Sequence, residues 1–113
     1  MSFARLPEPP YYVVNFSSRR TPGDNGYGDM SEAMVELAAG QPGFLGVESA
    51  RSPDGFGITT SYWTDEDSIR AWKRVADHLA AQQAGRAGWY EHYEVRVARV
   101  ERAYAMKGRD GRV

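Results

Sequence analysis

The 113-residue sequence predicts an α+β domain of order βαββαβ, with one antiparallel sheet and both helices on one of its faces. Three observations predict it. Stretches rich in tyrosine and β-branched residues alternate with stretches whose apolar residues recur every three and four positions. A Pro-Asp-Gly turn at residues 53–55 joins two of the former directly. Gly40 and Gly85 stand where the two helical patterns stop.

The first strand is Tyr11 to Ser17, aromatic and β-branched, after a proline-rich stretch ending at Pro10. Ser18 to Asn25 carries a Pro-Gly and an Asp-Asn pair, turn chemistry that opens into a helix capped by Asp24 or a neighbour. Tyr27, Met30, Met34, Leu37 and Ala38 mark one face of the first helix, which Gly40 ends, with Pro42 just beyond. Phe44 to Ser52 and Gly57 to Trp63 form a hairpin across Pro53-Asp54-Gly55-Phe56. Thr64 supplies a capping hydroxyl for the second helix, and Asp65, Glu66 and Asp67 suit its positive end. The apolar stripe of that helix is Ile69, Trp72, Ala76, Leu79 and Ala80, and it runs to about Ala84. After a loop from Gly85 to Gly88, a last strand extends from Trp89 or Tyr90 to Met106.

This order is the ferredoxin-like arrangement. The domain spans residues 10–106, between an N-terminal extension over 1–9 and a polar tail over 107–113. In the last strand Tyr93, Val95 and Val97 share one parity, while Ala98, Val100 and Tyr104 share the other, so neither face is uniformly polar. A bulge or a second buried face is required. Two helices cover one face only, and the simplest cover for the other is the same sheet of a second copy, a symmetric homodimer; a monomer with a wet sheet is the rival.

Lys plus Arg number 14 and Asp plus Glu 15, a net charge of −1 that creates no field for nucleic acid or an anionic membrane. With no cysteine there is no thiol nucleophile, thiolate ligand or disulfide framework. Residues 1–10 lack the charged-then-apolar profile of a secretory signal, and no apolar run approaches the roughly 20 residues that span a bilayer. The expectation is a soluble, cytoplasmic protein. The two histidines, His78 and His92, have no carboxylate cluster beside them to complete a metal site. The stretch Gly23 to Gly28 lacks the Lys-Ser/Thr pair of a phosphate loop.

The strings GYGDMSEAMVELAAGQPGFLGVESAR, GITTSYWTDEDSIRAWKRVADHLAAQ and GRAGWYEHYEVRVARVERAY resemble the antibiotic biosynthesis monooxygenase family over about Pro10 to Ala105. Its recognisable positions, Gln41-Pro42-Gly43-Phe44-Leu45-Gly46 and Ser61-Tyr62-Trp63, are turn and sheet positions that specify fold more than chemistry. The resemblance implies a dimeric αβ-barrel, with a pocket in each subunit between sheet and helices. It also implies one of several activities: oxygenation of aromatic polyketides without a cofactor, haem opening, or none.

Triplet oxygen reacts slowly with closed-shell molecules, so an enzyme without metal or flavin must generate an electron-rich anion of its substrate, and a preorganised donor in a dry pocket stabilises it by roughly 3 kcal/mol. Asn15, Trp72 and Arg86 are the candidate donors. Asn15 matches in position the asparagine of the haem-degrading branch, and is otherwise an amide satisfied by backbone or water. Trp72 matches that branch's tryptophan, and is otherwise a core residue. Arg86, in a glycine-flanked loop, reaches a pocket mouth or forms a surface ion pair, and Arg19 and Arg20 are candidates of the same kind.

Tyr62, Gln82 and His92 are candidates for contact with substrate. Tyr62 and Trp63 leave the third strand on opposite faces, so one meets the helices. Gln82 occupies the place of the iron-ligating histidine of the haem branch and is a poor ligand. His78 faces away from the apolar stripe, six residues past Trp72. His92 alternates with Tyr90 and Glu94 and is a general base or a structural residue. The reading that follows is a cofactor-independent monooxygenase using O2 on a small aromatic or polyketide-type molecule, with no metal. The alternatives are a non-catalytic dimeric protein that binds a small ligand, and a haem-degrading monooxygenase.

Overall fold

A computed structural model of the chain describes residues 2–82 and 88–106. The elements are β1 (Tyr11–Arg20), α1 (Tyr27–Ala39), β2 (Phe44–Arg51), β3 (Phe56–Trp63), α2 (Glu66–Gln82) and β4 (Tyr90–Val100). The strands form one sheet in the order β2-β3-β1-β4, every neighbouring pair antiparallel. This is the ferredoxin-like α+β fold, with the expected order of elements.

Several boundaries differ from the sequence reading, each for a local reason. β1 continues to Arg20 because residues past Ser17 keep partners on both sides: Arg19 pairs with Phe56 and with His92. β4 ends at Val100, opposite Tyr11, where β1 itself begins, so residues 101–106 have no strand to pair with. The cap of α2 is Asp65 and not Thr64: the Asp65 carboxylate accepts the Ser68 amide at 2.7 Å, which holds its pKa below the usual carboxylate value. At α1, Asp24 acts from just upstream, accepting the Gly26 and Gly28 amides at 3.1 Å each.

The β2–β3 turn closes as expected. Gly55 adopts φ +94°, the Asp54 carboxylate accepts the Phe56 amide at 3.0 Å, and Ser52 pairs with Phe56 through its own amide at 2.8 Å. A second glycine is constrained more tightly. Gly43 has φ +83°, and a Cβ there would lie 2.6 Å from Ser68 Cβ, so the junction before β2 needs glycine to pass under the start of α2.

Register assigns the faces. Tyr12, Val14, Phe16 and Ser18 of β1 stand opposite Trp63, Ser61, Thr59 and Gly57 of β3 and Arg99, Val97, Val95 and Tyr93 of β4. Directly opposed residues point to the same side, and Trp63 stacks on Trp72 of α2 at 6.1 Å, so this set forms the helix face. Trp63 is fully buried and also meets Phe44 edge-on at 5.4 Å. Each such pair adds about 0.5–1.5 kcal/mol beyond the area it buries.

Candidate active site

The helices cover the sheet unevenly. Among the described residues α1 packs mainly on β2 and α2 on β3, which leaves the β1–β4 half of the helix face less covered. Tyr93, Val95 and Val97 point to that face and yet are 56%, 51% and 48% exposed. The result is a cleft with a floor of Val14, Phe16, Val95 and Val97. Lys73 of α2 is paired with Asp77 at 2.6 Å, the bond that raises the pKa of its ammonium.

One end of the cleft is aromatic and positively charged. A bulge in β4, where Arg19 pairs with His92 but Arg20 with Tyr90, turns Tyr90 onto the helix face. Tyr90 meets Phe16 at 5.4 Å and Tyr27, at the start of α1, at 5.6 Å, and Phe16 stacks on Tyr93 at 5.2 Å. The Arg20 guanidinium lies 3.7 Å from the centre of the Tyr27 ring. Arg51, from the end of β2, donates to Ser18 Oγ at 2.9 Å and to the Tyr27 hydroxyl at 3.2 Å.

The two phenols share a single hydrogen bond, Tyr90 to Tyr27 at 3.2 Å. Tyr90 donates it, so the Tyr27 hydroxyl proton has no acceptor among the described residues and is the donor available to a ligand. Burial pushes the Tyr90 phenol well above its ordinary pKa, the bond to Tyr27 adds to the rise, and Arg51 and Arg20 pull the other way. Tyr90 therefore stays a neutral O–H donor at physiological pH.

The residues singled out from sequence do not share one pocket. Trp72 lies on the helix face against Trp63, and its indole N–H has no hydrogen-bond partner among the described residues. Asn15 stands on the opposite face, opposed to Thr60 and Arg96, with its amide donating to Ser17 at 3.0 Å and accepting from Thr60 at 3.4 Å. A single pocket holding Asn15 and Trp72 is thus not what the fold builds, because alternate residues of a strand leave on opposite sides. Arg86 lies outside the described residues.

Tyr62 is also on the outer face, donating to Glu48 at 2.6 Å beside Tyr11, and burial is the main reason its pKa rises. Of the pair that ends β3, Trp63 is the one that meets the helices. His92 points outward with Glu94 at 2.9 Å; the bulge removes it from the side that Tyr90 takes, so the expected alternation of Tyr90 with His92 fails there. Gln82 and His78 are exposed on α2, their side chains 3.3 Å apart.

Two hollows open on the outer face. One, about 410 Å³, is lined by Phe3, Glu48, Ile58 and Thr60 among others, and one of about 390 Å³ by Ser17, Arg19, Phe56, His92, Glu94 and Arg96. Their charged groups already satisfy one another. Arg19 pairs with Asp54, His92 and Arg96 with Glu94, and Glu48 accepts both the Tyr62 hydroxyl and the Ala4 amide. The helix-face cleft, with its unused donors, is the better candidate.

Residues 10–84 match the family model described as antibiotic biosynthesis monooxygenase. The chain belongs to the antibiotic biosynthesis monooxygenase family. Among its relatives, the uncharacterised protein YqjZ of Bacillus subtilis is 57% identical over 99 residues, covering 88% of this chain and 87% of YqjZ. The jasmonate monooxygenase of Pyricularia oryzae is 32% identical over 94 residues; the match covers 79% of this chain but 43% of that protein. Among solved structures, a single-residue mutant of SnoaB, a cofactor-independent oxygenase from Streptomyces nogalater, superposes with a TM-score of 0.68. It is 18% identical, over 82% of this chain and 95% of that one. PA3566 from Pseudomonas aeruginosa gives 0.66 at 10% identity, over 82% and 96%. At such identities the superpositions establish the fold.

Within the antibiotic biosynthesis monooxygenase family, the donor set here does not fit a haem iron. An amide such as Gln82 is a weak ligand, and both it and His78 sit exposed on α2 rather than in the cleft. No group of three metal-ligating side chains occurs among the described residues, and no helix there is long and apolar enough to cross a membrane.

Arg51, Tyr27 and Tyr90 were not singled out for chemistry by sequence reasoning. Tyr27 read as part of a helix stripe and Tyr90 as strand. The available signal was parity: Arg51 shares its side of β2 with Val47 and Ser49, a cation on an otherwise inward-facing row.

Proposed function

We propose that this member of the antibiotic biosynthesis monooxygenase family is a cofactor-independent monooxygenase that oxygenates a small ring-bearing molecule in the helix-face cleft. The observation that carries this is the convergence of Tyr27, Tyr90, Arg20 and Arg51 at one end of an open, apolar, aromatic-walled groove. Apolar walls take the ring. The positive field and the spare phenol proton stabilise the anion that forms when an activated ring C–H loses its proton, the step without which triplet oxygen does not react.

Bonds and electrons then balance without a cofactor for a ring CH2. Its carbanion passes an electron to O2, the two radicals couple to a peroxide anion at that carbon, a proton from solvent replaces the one first released and gives the hydroperoxide, and loss of water with the carbon's second hydrogen leaves a ring carbonyl. One O2 is consumed for each carbonyl and each water formed. The indole N–H of Trp72 is a further neutral donor on the same side of the sheet.

The working unit in this proposal is a homodimer. Among the described residues only Tyr11, Ser18, Ala38, Gly57 and Trp63 are buried, little for a chain of this length, and Phe56 and Ile58 on the outer face are 41% and 42% exposed. Pairing of two outer faces covers them and supplies the missing core.

An oxygen electrode with a panel of anthrones and hydroquinones tests the activity, with ¹⁸O2 labelling to trace the atoms. The expected result is one label in the product carbonyl per O2 consumed. Saturable binding of the same compounds with no oxygen uptake makes the protein a small-ligand-binding member of the family instead. Light scattering checks the dimer.

A further inference from the structure

When a substrate carbanion gives its electron to O2, a substrate radical and superoxide form side by side. If superoxide leaves before the two couple, the substrate radical takes up a second O2 and becomes a peroxyl radical above the cleft floor. Tyr93 is the oxidisable ring of that floor, and it is 56% exposed. A file of oxidisable rings leads away from it. Tyr93 and Tyr90 have ring centres 5.9 Å apart, Tyr90 and Tyr27 5.6 Å, and Tyr27 and the half-buried Trp89 6.5 Å. Each step is a ring-to-ring contact, across which an electron passes readily. Among the described residues the other aromatic pairs, Trp63 with Trp72 and Tyr11 with Tyr62, make no ring contact with this file.

The charges give the file a direction. A phenol yields an electron readily only as its proton leaves, whereas an indole yields one and keeps its N–H. The Arg20 and Arg51 guanidiniums, 3.7 Å and 5.8 Å from the centre of the Tyr27 ring, oppose positive charge on Tyr27. Trp89 has no guanidinium over it among the described residues, and its indole N–H donates to the Asn25 carbonyl at 2.9 Å, a bond that strengthens when the ring becomes positive. We infer that Tyr93, Tyr90, Tyr27 and Trp89 form an electron relay that quenches peroxyl radicals in the cleft and carries the oxidising equivalent to Trp89. In balance, the Tyr93 O–H bond breaks and an O–H bond forms on the peroxyl oxygen, which gives the hydroperoxide. One electron from Trp89 passes through Tyr27 and Tyr90 to Tyr93, and one solvent proton restores the Tyr93 hydroxyl. The Trp89 radical cation then takes an electron from a reductant in solution, an enediol of the ascorbate class. The relay takes its purpose from the oxygenase reading, but electron flow along it needs no turnover.

Flash photolysis of the full chain tests it without any substrate. The sequence has no cysteine, so Val97→Cys on the cleft floor takes a single ruthenium tris-bipyridyl label, which a laser flash and a cobalt(III) ammine quencher convert to Ru(III). The expected result is re-reduction of Ru(III) with the transient absorption of an indole radical. Trp89→Phe should lose the indole signal and leave a longer-lived phenoxyl signal in its place. Tyr27→Phe should lose the indole signal as well, and Trp72→Phe should keep it. Circular dichroism checks that each labelled variant is folded, and Tyr90→Phe, which interrupts the file one ring earlier, should show the same loss if Tyr27→Phe does not fold. An indole signal that survives in Trp89→Phe overturns the relay, because another tryptophan then supplies the electron. An indole signal that rises unchanged in both Tyr27→Phe and Tyr90→Phe also overturns it, as does Ru(III) that the protein does not re-reduce. Electron flow from Trp89 in a protein that takes up no oxygen with any phenol leaves the relay standing and removes the oxygenase reading. Oxygen uptake by a protein whose Trp89 is never oxidised does the reverse.

Discussion

Tyr27 and Arg20 are stacked, the guanidinium 3.7 Å from the ring centre, while the hydroxyl of the same tyrosine is bonded by Arg51 and Tyr90. One side chain therefore ties the start of α1 to the ends of β1, β2 and β4. Tyr27→Phe keeps the ring and loses the hydroxyl bonds, and should cost about 1 kcal/mol in urea denaturation. Tyr27→Leu loses the cation–π and ring–ring contacts as well, and should cost about 1 kcal/mol more. Equal losses in the two variants would show that the hydroxyl alone matters.

Trp63 and Trp72 stack, but Trp63 is fully buried and Trp72 only half-buried. Trp63→Ala should destabilise by about 3–5 kcal/mol and Trp72→Ala by clearly less. If Trp72 donates to the reacting anion, Trp72→Phe should lower kcat while leaving the melting temperature nearly unchanged.

Asn15 and Tyr90 lie on opposite faces of the sheet. In oxygen-uptake assays Asn15→Ala should change kcat/KM little, whereas Tyr27→Phe, removing the spare phenol donor that Tyr90 supports, should lower it by about a hundredfold. The opposite ranking would move the chemistry to the outer face.

Asp54 accepts from Phe56 and Ser52 in the β2–β3 turn, bonds that bring its carboxyl down to about 2, with Ser52 the larger cause. A depressed carboxylate pKa means that its stabilisation is full above the unfolded value near 3.8 and is lost as pH falls toward 2. An NMR titration should find the Asp54 midpoint near 2, and Asp54→Asn should flatten the fall in stability between about pH 4 and 2.

Gly43→Ala should be the most damaging of the glycine-to-alanine changes in the described residues. It forces a positive φ on alanine and places Cβ 2.6 Å from Ser68 Cβ and 2.7 Å from Thr64 Oγ1. A loss well above about 1 kcal/mol is expected, read as a lowered denaturation midpoint.

The order of elements was readable from the chain because it depends on local chemistry. Residue periodicity, the Pro53-Asp54-Gly55 turn and Gly40 each act within a few positions of themselves. The apolar stripe of α2 likewise placed Trp72 against the sheet. Arg20 was visible only as a loop cation, since nothing near it in sequence names Tyr27 as its partner.

What lay beyond the sequence depends on register and on which neighbour arrives. The bulge opposite Arg19 and Arg20 decides that Tyr90 turns inward and His92 outward, and strand pairing decides that Asn15 faces away from the helices. Both are settled by contacts between residues far apart in the chain, where a shift of one position moves every side chain to the other face. The meeting of Arg20, Tyr27, Arg51 and Tyr90 is of the same kind. Four elements contribute one residue each, and only their packing brings the charges and the phenols together.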